Sequence, residues 1–117
     1  MNEVFKRETI VYGTEFWDFY NSQKKKVQDK IDHVIGLVRV LRMIPEKYFK
    51  HIEGEVGLFE IRVKVGSNIY RIFCFFDEGN LVILINGFQK KTDKTPKNEI
   101  ERAKRLKQRY YEERRKN

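Results

Sequence analysis

Leu58-Phe59-Glu60-Ile61-Arg62-Val63-Lys64-Val65 alternates apolar and charged residues from Phe59 onward, until Gly66-Ser67-Asn68 interrupts it. A period of two sets Phe59, Ile61, Val63 and Val65 on one side of a strand and Leu58, Glu60, Arg62 and Lys64 on the other. The turn residues send the chain back through Ile69-Tyr70-Arg71-Ile72-Phe73-Cys74-Phe75-Phe76. Asp77-Glu78-Gly79-Asn80 reverses it again into a third apolar stretch, residues 81–88. Three strands with short connections predict a β-meander, and the rest of the chain arranges itself around it.

Upstream, Thr9-Ile10-Val11-Tyr12 is a β-branched and aromatic run stopped by Gly13, which predicts a first strand. Thr14 is placed to cap a helix whose apolar stripe is Phe16, Trp17, Phe19 and Tyr20. Their helical spacing predicts core rather than a base-stacking platform. A polar interval at 21–26 divides this helix from a second, in which Val27, Ile31, Val34, Ile35, Val38 and Leu41 recur at steps of three and four. Pro45 is expected to close it. Residues 46–57 hold His51, Gly54 and Gly57 without periodicity and read as a loop. Downstream, Thr95 caps a last helix with Pro96 at its first position, and Ile100, Ala103, Leu106 and Tyr110 form a thin apolar stripe. The expectation is one α+β domain over 1–117, in the order β-α-α-β-β-β-α. Its sheet is mostly antiparallel with the helices packed on one face, so Glu60, Arg62 and Lys64 line an open opposite face.

Charge is unevenly distributed. The 117-residue chain carries +8 formally, and from Gln89 to Asn117 there are 12 Lys/Arg against 5 Asp/Glu. A nearly neutral body with a cationic end predicts a polyanionic partner, nucleic acid above all, although basic charge also serves solubility alone. Cys74 has no second cysteine to bond, and no Cys/His cluster has zinc spacing. The first residues lack the apolar core of a signal peptide, and the longest unbroken apolar runs, 72–76 and 81–85, are far too short to span a bilayer. The expectation is a cytoplasmic protein with no membrane contact.

A basic constellation emerges from the meander. Arg62 and Lys64 share a face, Arg71 lies on the hairpin partner, and Lys90 and Lys91 leave the third strand. Such a group grips phosphates, with arginine able to do so bidentately. It is also what a solvated sheet face looks like, and the register that decides whether Arg71 joins Arg62 depends on the turn.

The ordered motifs Leu58-Phe59-Glu60-Ile61-Arg62, Ile69-Tyr70-Arg71-Ile72-Phe73-Cys74-Phe75-Phe76 and Gly87-Phe88-Gln89-Lys90-Lys91-Thr92-Asp93-Lys94-Thr95-Pro96, with Glu99-Ile100-Glu101-Arg102-Ala103 following, resemble the HigB-like branch of the RelE/ParE toxin superfamily. This branch includes the phage-derived Gp49-like proteins. The resemblance implies a microbial-ribonuclease-like fold and the toxin of a type II toxin–antitoxin pair. It also implies a ribosome-dependent endoribonuclease that cuts mRNA in the ribosomal A site, with neither metal nor cofactor. The implied chemistry is attack of a ribose 2′-OH on the adjacent phosphate, leaving a 2′,3′-cyclic phosphate and a 5′-OH. Its implied partners are a helix-turn-helix, HigA-like antitoxin, the ribosome and mRNA, and operator DNA through the antitoxin. The superfamily also holds ParE-like toxins that bind gyrase without cleaving RNA, which keeps a second reading open.

That reaction needs a base for the 2′-OH, cations for the charge growing on phosphate, and an acid for the leaving oxygen. By motif, these roles fall on Arg62 or Lys64, on Arg71, and on Lys90 or Lys91. Arg71 and Lys91 are expected to stabilise the phosphate, and Lys64 is one candidate base. Alanine at Arg71 is expected to abolish toxicity while leaving the fold intact. Lys90, Lys94, Arg102, Lys104 and Arg105 are expected to contact RNA. His51, Glu60 and Tyr110 are further acid/base candidates, with Glu60 equally a partner for Arg62 or Arg71 and Tyr110 equally a core residue. Cys74 reads as a small buried apolar side chain.

Overall fold

The computed structural model describes residues 5–91 and 94–116. Thr92 and Asp93 of the quoted motif, and the first four residues, lie outside them. The elements run β1 (Glu8–Val11), α1 (Glu15–Asn21), α2 (Lys25–Val40), β2 (Phe49–His51), β3 (Phe59–Val65), β4 (Asn68–Asp77), β5 (Leu81–Lys90) and α3 (Lys97–Arg115). The strands form one open sheet in the order β1-β5-β4-β3-β2, with β1 parallel to β5 and the other pairs antiparallel. The α+β class and the mostly antiparallel sheet are as expected.

Two features differ. The 46–57 stretch contributes a short edge strand, β2, so the strand count is one higher than expected. Three residues are too few to display a period, and β2 exists because the edge of β3 offers pairing partners: Lys50 opposite Glu60, and the Arg62 amide bonded to the Tyr48 carbonyl at 2.8 Å. The helices also do not share a face. Phe16 and Phe19 of α1 and Val27, Ile31, Val34 and Val38 of α2 pack on Ile61, Val63, Tyr70, Ile72 and Cys74. Ala103, Leu106 and Tyr110 of α3 pack on the opposite side, against Phe73, Phe75, Ile83, Ile85 and Phe88. Burial of alternate β4 residues in two separate cores means that this part of the sheet is covered on both sides.

Local chemistry fixes the joints. Gly87 lets α1 lie flat on β5: a Cβ there would stand 2.5 Å from the Phe19 ring. A bulge arises where Ile72 pairs Gly87 but Cys74 pairs Leu84, giving β5 one extra residue. Beside it Asn86 turns toward α3, where its amide donates to the Glu99 carbonyl (3.2 Å) and carboxylate (3.1 Å). The last carbonyls of α2 accept from Arg7, at 2.9 Å for Val38 and 2.5 Å for Leu41. That helix ends at Val40, well before Pro45. Two expected caps are absent. Thr14 sits at the N-cap of α1 but its hydroxyl makes no capping bond, and Pro96, not Thr95, occupies the N-cap of α3.

Candidate functional site

Glu60, Arg62 and Lys64 do face the α3 side of the sheet. The register pairs Arg62 with Arg71 and Glu60 with Phe73, which sets Arg71 on the same face as Arg62. On the next strand Arg71 pairs Phe88 and Ile69 pairs Lys90, which adds Lys90. On the other flank Lys50 pairs Glu60 and joins them. α3 covers the far part of this face only. Near its N-terminal end the sheet stays open in a cleft of about 300 Å³, lined by Lys50, Glu60, Arg62, Arg71, Lys90 and Thr95 among others.

The site has a buried floor and a half-exposed rim. Arg71 is 2% exposed and Glu60 6%, and the Arg71 Nη1 donates to Glu60 Oε1 at 2.7 Å. Burial pulls the Arg71 pKa down, the Glu60 carboxylate pulls it back up, and neighbouring Arg62 lowers it. The pairing is incomplete: Glu60 Oε2 and Arg71 Nε are buried without a hydrogen-bond partner. Arg62 is half-buried and has no acidic partner within ion-pair distance among the described residues. Chemically the cleft offers a rim rich in cations, with Glu53 also in its lining, over a fixed guanidinium whose geometry is held by a carboxylate.

The other sequence candidates divide. His51 reaches the rim, but it pairs Phe59 rather than Glu60, and its ring packs edge-on to Phe59 at 5.2 Å, toward the α1–α2 side. Tyr110 is not in the cleft. It is buried under α3, donating to Asp77 Oδ2 at 2.7 Å, and Asp77 ends the strand on which Arg71 lies six residues earlier, about 20 Å away. Lys91 is exposed just beyond β5, and Lys90 is the one of the two that lines the cleft. Lys64 is exposed and lines a neighbouring cavity instead. Lys94, Arg102 and Arg105 are exposed around the first half of α3. Lys104 pairs with Glu55 at 3.4 Å and Glu101 at 3.6 Å, on the wall of a separate groove of about 970 Å³ between α3 and the 54–58 segment. Of its lining cations, Lys104 and Arg114 are tied to acidic partners and Lys107 donates to the Val56 and Gly57 carbonyls. Cys74 is fully buried, which pushes its thiol pKa up and keeps it protonated.

Lys50 and Glu53 line the cleft without having been expected there, because the 46–57 stretch shows no period. The Phe49-Lys50-His51 run, apolar on one side and basic on the other, was the only signal for Lys50. The buried Arg71–Glu60 pair bears on the expectation that Arg71→Ala leaves the fold intact. Removing one partner of a buried ion pair costs about 3–5 kcal/mol, since the other charge is stranded.

The family described as phage-derived protein Gp49-like matches residues 18–108. The match runs from α1 into α3 and contains every cleft residue named above. No curated protein matches the chain. The chain belongs to the phage-derived Gp49-like family, within the RelE/ParE-like toxin superfamily.

Proposed function

We propose that the protein is a toxin acting as a ribosome-dependent endoribonuclease on mRNA, with the cleft as its active site. The observation that carries this reading is the convergence of Lys50, Arg62, Arg71 and Lys90, from four different strands, on the one part of the sheet face that α3 leaves open. An RNA backbone entering there meets cations on each side. Arg62 and Lys90 gather the phosphate oxygens from the rim. Arg71, its orientation locked by Glu60, meets the negative charge that develops as the 2′-OH attacks. The bond from phosphorus to the 5′ oxygen breaks as the 2′ oxygen bonds phosphorus, which yields the cyclic phosphate. Glu60 acts here as a positioning residue for Arg71. Membership of a toxin–antitoxin family implies an antitoxin partner, and in this reading it is a helix-turn-helix protein that supplies the operator contact.

Primer extension on mRNA from a translating extract tests the reading. Wild type should produce cuts at in-frame codons that require ribosomes. Arg62→Ala, which strands no buried charge, should weaken them by about 10²-fold, because it removes one of the cations that clamp the reacting phosphate. A folded protein that arrests growth without cutting would contradict the reading and direct attention to gyrase.

A further inference from the structure

Beside the cleft, at the β3 edge of the sheet, lies a second cavity of about 410 Å³, lined by Lys30, Lys47, Tyr48, Arg62, Lys64 and Gly66. Three elements build it: α2 supplies Lys30, the segment entering β2 supplies Lys47 and Tyr48, and β3 supplies Arg62 and Lys64. Its lining holds four cations and no acidic residue. Among the described residues, Lys30, Arg62 and Lys64 make no ion pair, and the Lys47 ammonium sits over the Tyr48 ring, 5.0 Å from its centroid. Some lysines elsewhere on the surface do find acidic partners, as with Lys25–Asp29 at 2.7 Å and Lys104–Glu55 at 3.4 Å. Four cations drawn together without a counter-charge repel one another, and a ligand anion relieves that cost.

Arg62 lines both cavities. Lys64 stands two residues further along the same face of β3, a step of about 7 Å. That step is comparable with the spacing of neighbouring phosphates in an extended single strand. We propose that this cavity is a subsite for the next backbone phosphate of single-stranded RNA, so that the chain grips two consecutive phosphates with Arg62 between them. The inference rests on the proposed ribonuclease reading and extends it from the scissile phosphate to the path of the strand. Phosphate contacts of this kind position the RNA without reading its bases.

The test is binding of a fluorescent eight-nucleotide single-stranded RNA, 2′-O-methylated throughout to prevent cleavage, measured against salt. Wild type is compared with the double variant Lys30→Gln/Lys47→Gln and with Lys90→Gln. Neither lysine of the double variant belongs to the cleft or holds another element by a hydrogen bond, so the thermal transition serves as a check on folding. For the double variant, weaker binding and a salt slope shallower by about 0.7, the value for one single-strand phosphate contact, is the expected result. An unchanged slope in the double variant, with binding reduced in Lys90→Gln, overturns the subsite and leaves the cleft reading standing. No measurable binding by wild type also overturns the subsite, and the ribonuclease reading then stands or falls on primer extension alone.

Discussion

The two ends of α3 use positive charge in opposite ways. At the N-terminal end, the cleft and its neighbouring cavity collect Lys30, Arg62 and Lys64, which have no acidic partner among the described residues, around an Arg71 pinned to one buried carboxylate. Toward the C-terminal end, the cations hold the fold. Lys107 donates to the Val56 and Gly57 carbonyls at 3.1 and 3.3 Å, and Arg109 donates to the Tyr12 hydroxyl at 2.9 Å. Arg114 is bonded to Asp77 and, at 3.0 Å, to Glu78. The most basic part of the sequence is therefore partly committed to structure. Among the described residues, the cavity cations that make no ion pair come from α2, from the segment entering β2 and from β3. Net charge says that a polyanion is welcome, and pairing says where.

Substitutions sharpen that contrast. The largest effect falls on the buried pair: Arg71→Ala should lose about 3–5 kcal/mol in urea denaturation. The double variant Glu60→Leu/Arg71→Met should recover most of that stability, because no charge is then left unpaired, while remaining inactive. A stable and fully toxic Arg71→Ala would break the account of the cleft floor. At the other end, Tyr110→Phe removes the donor to Asp77 and should cost about 1–2 kcal/mol with cleavage per folded molecule unchanged. Lost cleavage in a folded Tyr110→Phe would return that tyrosine to the chemistry.

Acid should reveal the same network. The Tyr110 hydrogen bond, helped by Arg114 and opposed by burial, holds the Asp77 carboxyl below its ordinary value of 3.8. A carboxylate depressed on folding contributes stability above its unfolded pKa and loses it as pH falls through the folded one. Wild type should lose stability as pH drops below about 4, and Asp77→Asn should show a shallower loss in the same window. Parallel curves would remove Asp77 from the acid response. The smallest stability effect is expected from Arg102→Gln/Arg105→Gln, exposed positions whose thermal transition should stay within about 0.5 kcal/mol of wild type. If these arginines touch ribosomal RNA, ribosome binding by the variant should depend less steeply on salt.

Much of the fold was legible because alternation and helical spacing are strong local signals. The 59–65 strand kept the faces that its period assigned, and Arg71 joined Arg62 once the turn had set the register. The side of the sheet on which α3 packs was not legible from its own stripe, since Ala103, Leu106 and Tyr110 say only that the helix is amphipathic. A signal did exist in Ile72-Phe73-Cys74-Phe75: an unbroken apolar run belongs to a strand covered on both faces. Candidate site residues were legible in the regular strands and not at their edges. Lys50, Lys30 and Lys47 reach the two cavities through the tertiary placement of a three-residue strand, a helix and the segment entering that strand, and no spacing announces those. Tyr110 took the core place that the sequence allowed it, and the partners Asp77 and Glu55 of Tyr110 and Lys104 were not legible, since a basic, tyrosine-bearing helix looks alike whether its groups face RNA or fold back.

Arg62→Ala and Arg109→Gln remove the same unit of charge from the two regions, and primer extension with both, beside thermal unfolding, tests the contrast most directly. The account predicts that Arg62→Ala loses ribosome-dependent cuts by about 10²-fold with its transition held. It predicts that Arg109→Gln unfolds earlier and cuts normally per folded molecule. Undiminished cutting by Arg62→Ala, or its loss in a folded Arg109→Gln, would contradict it.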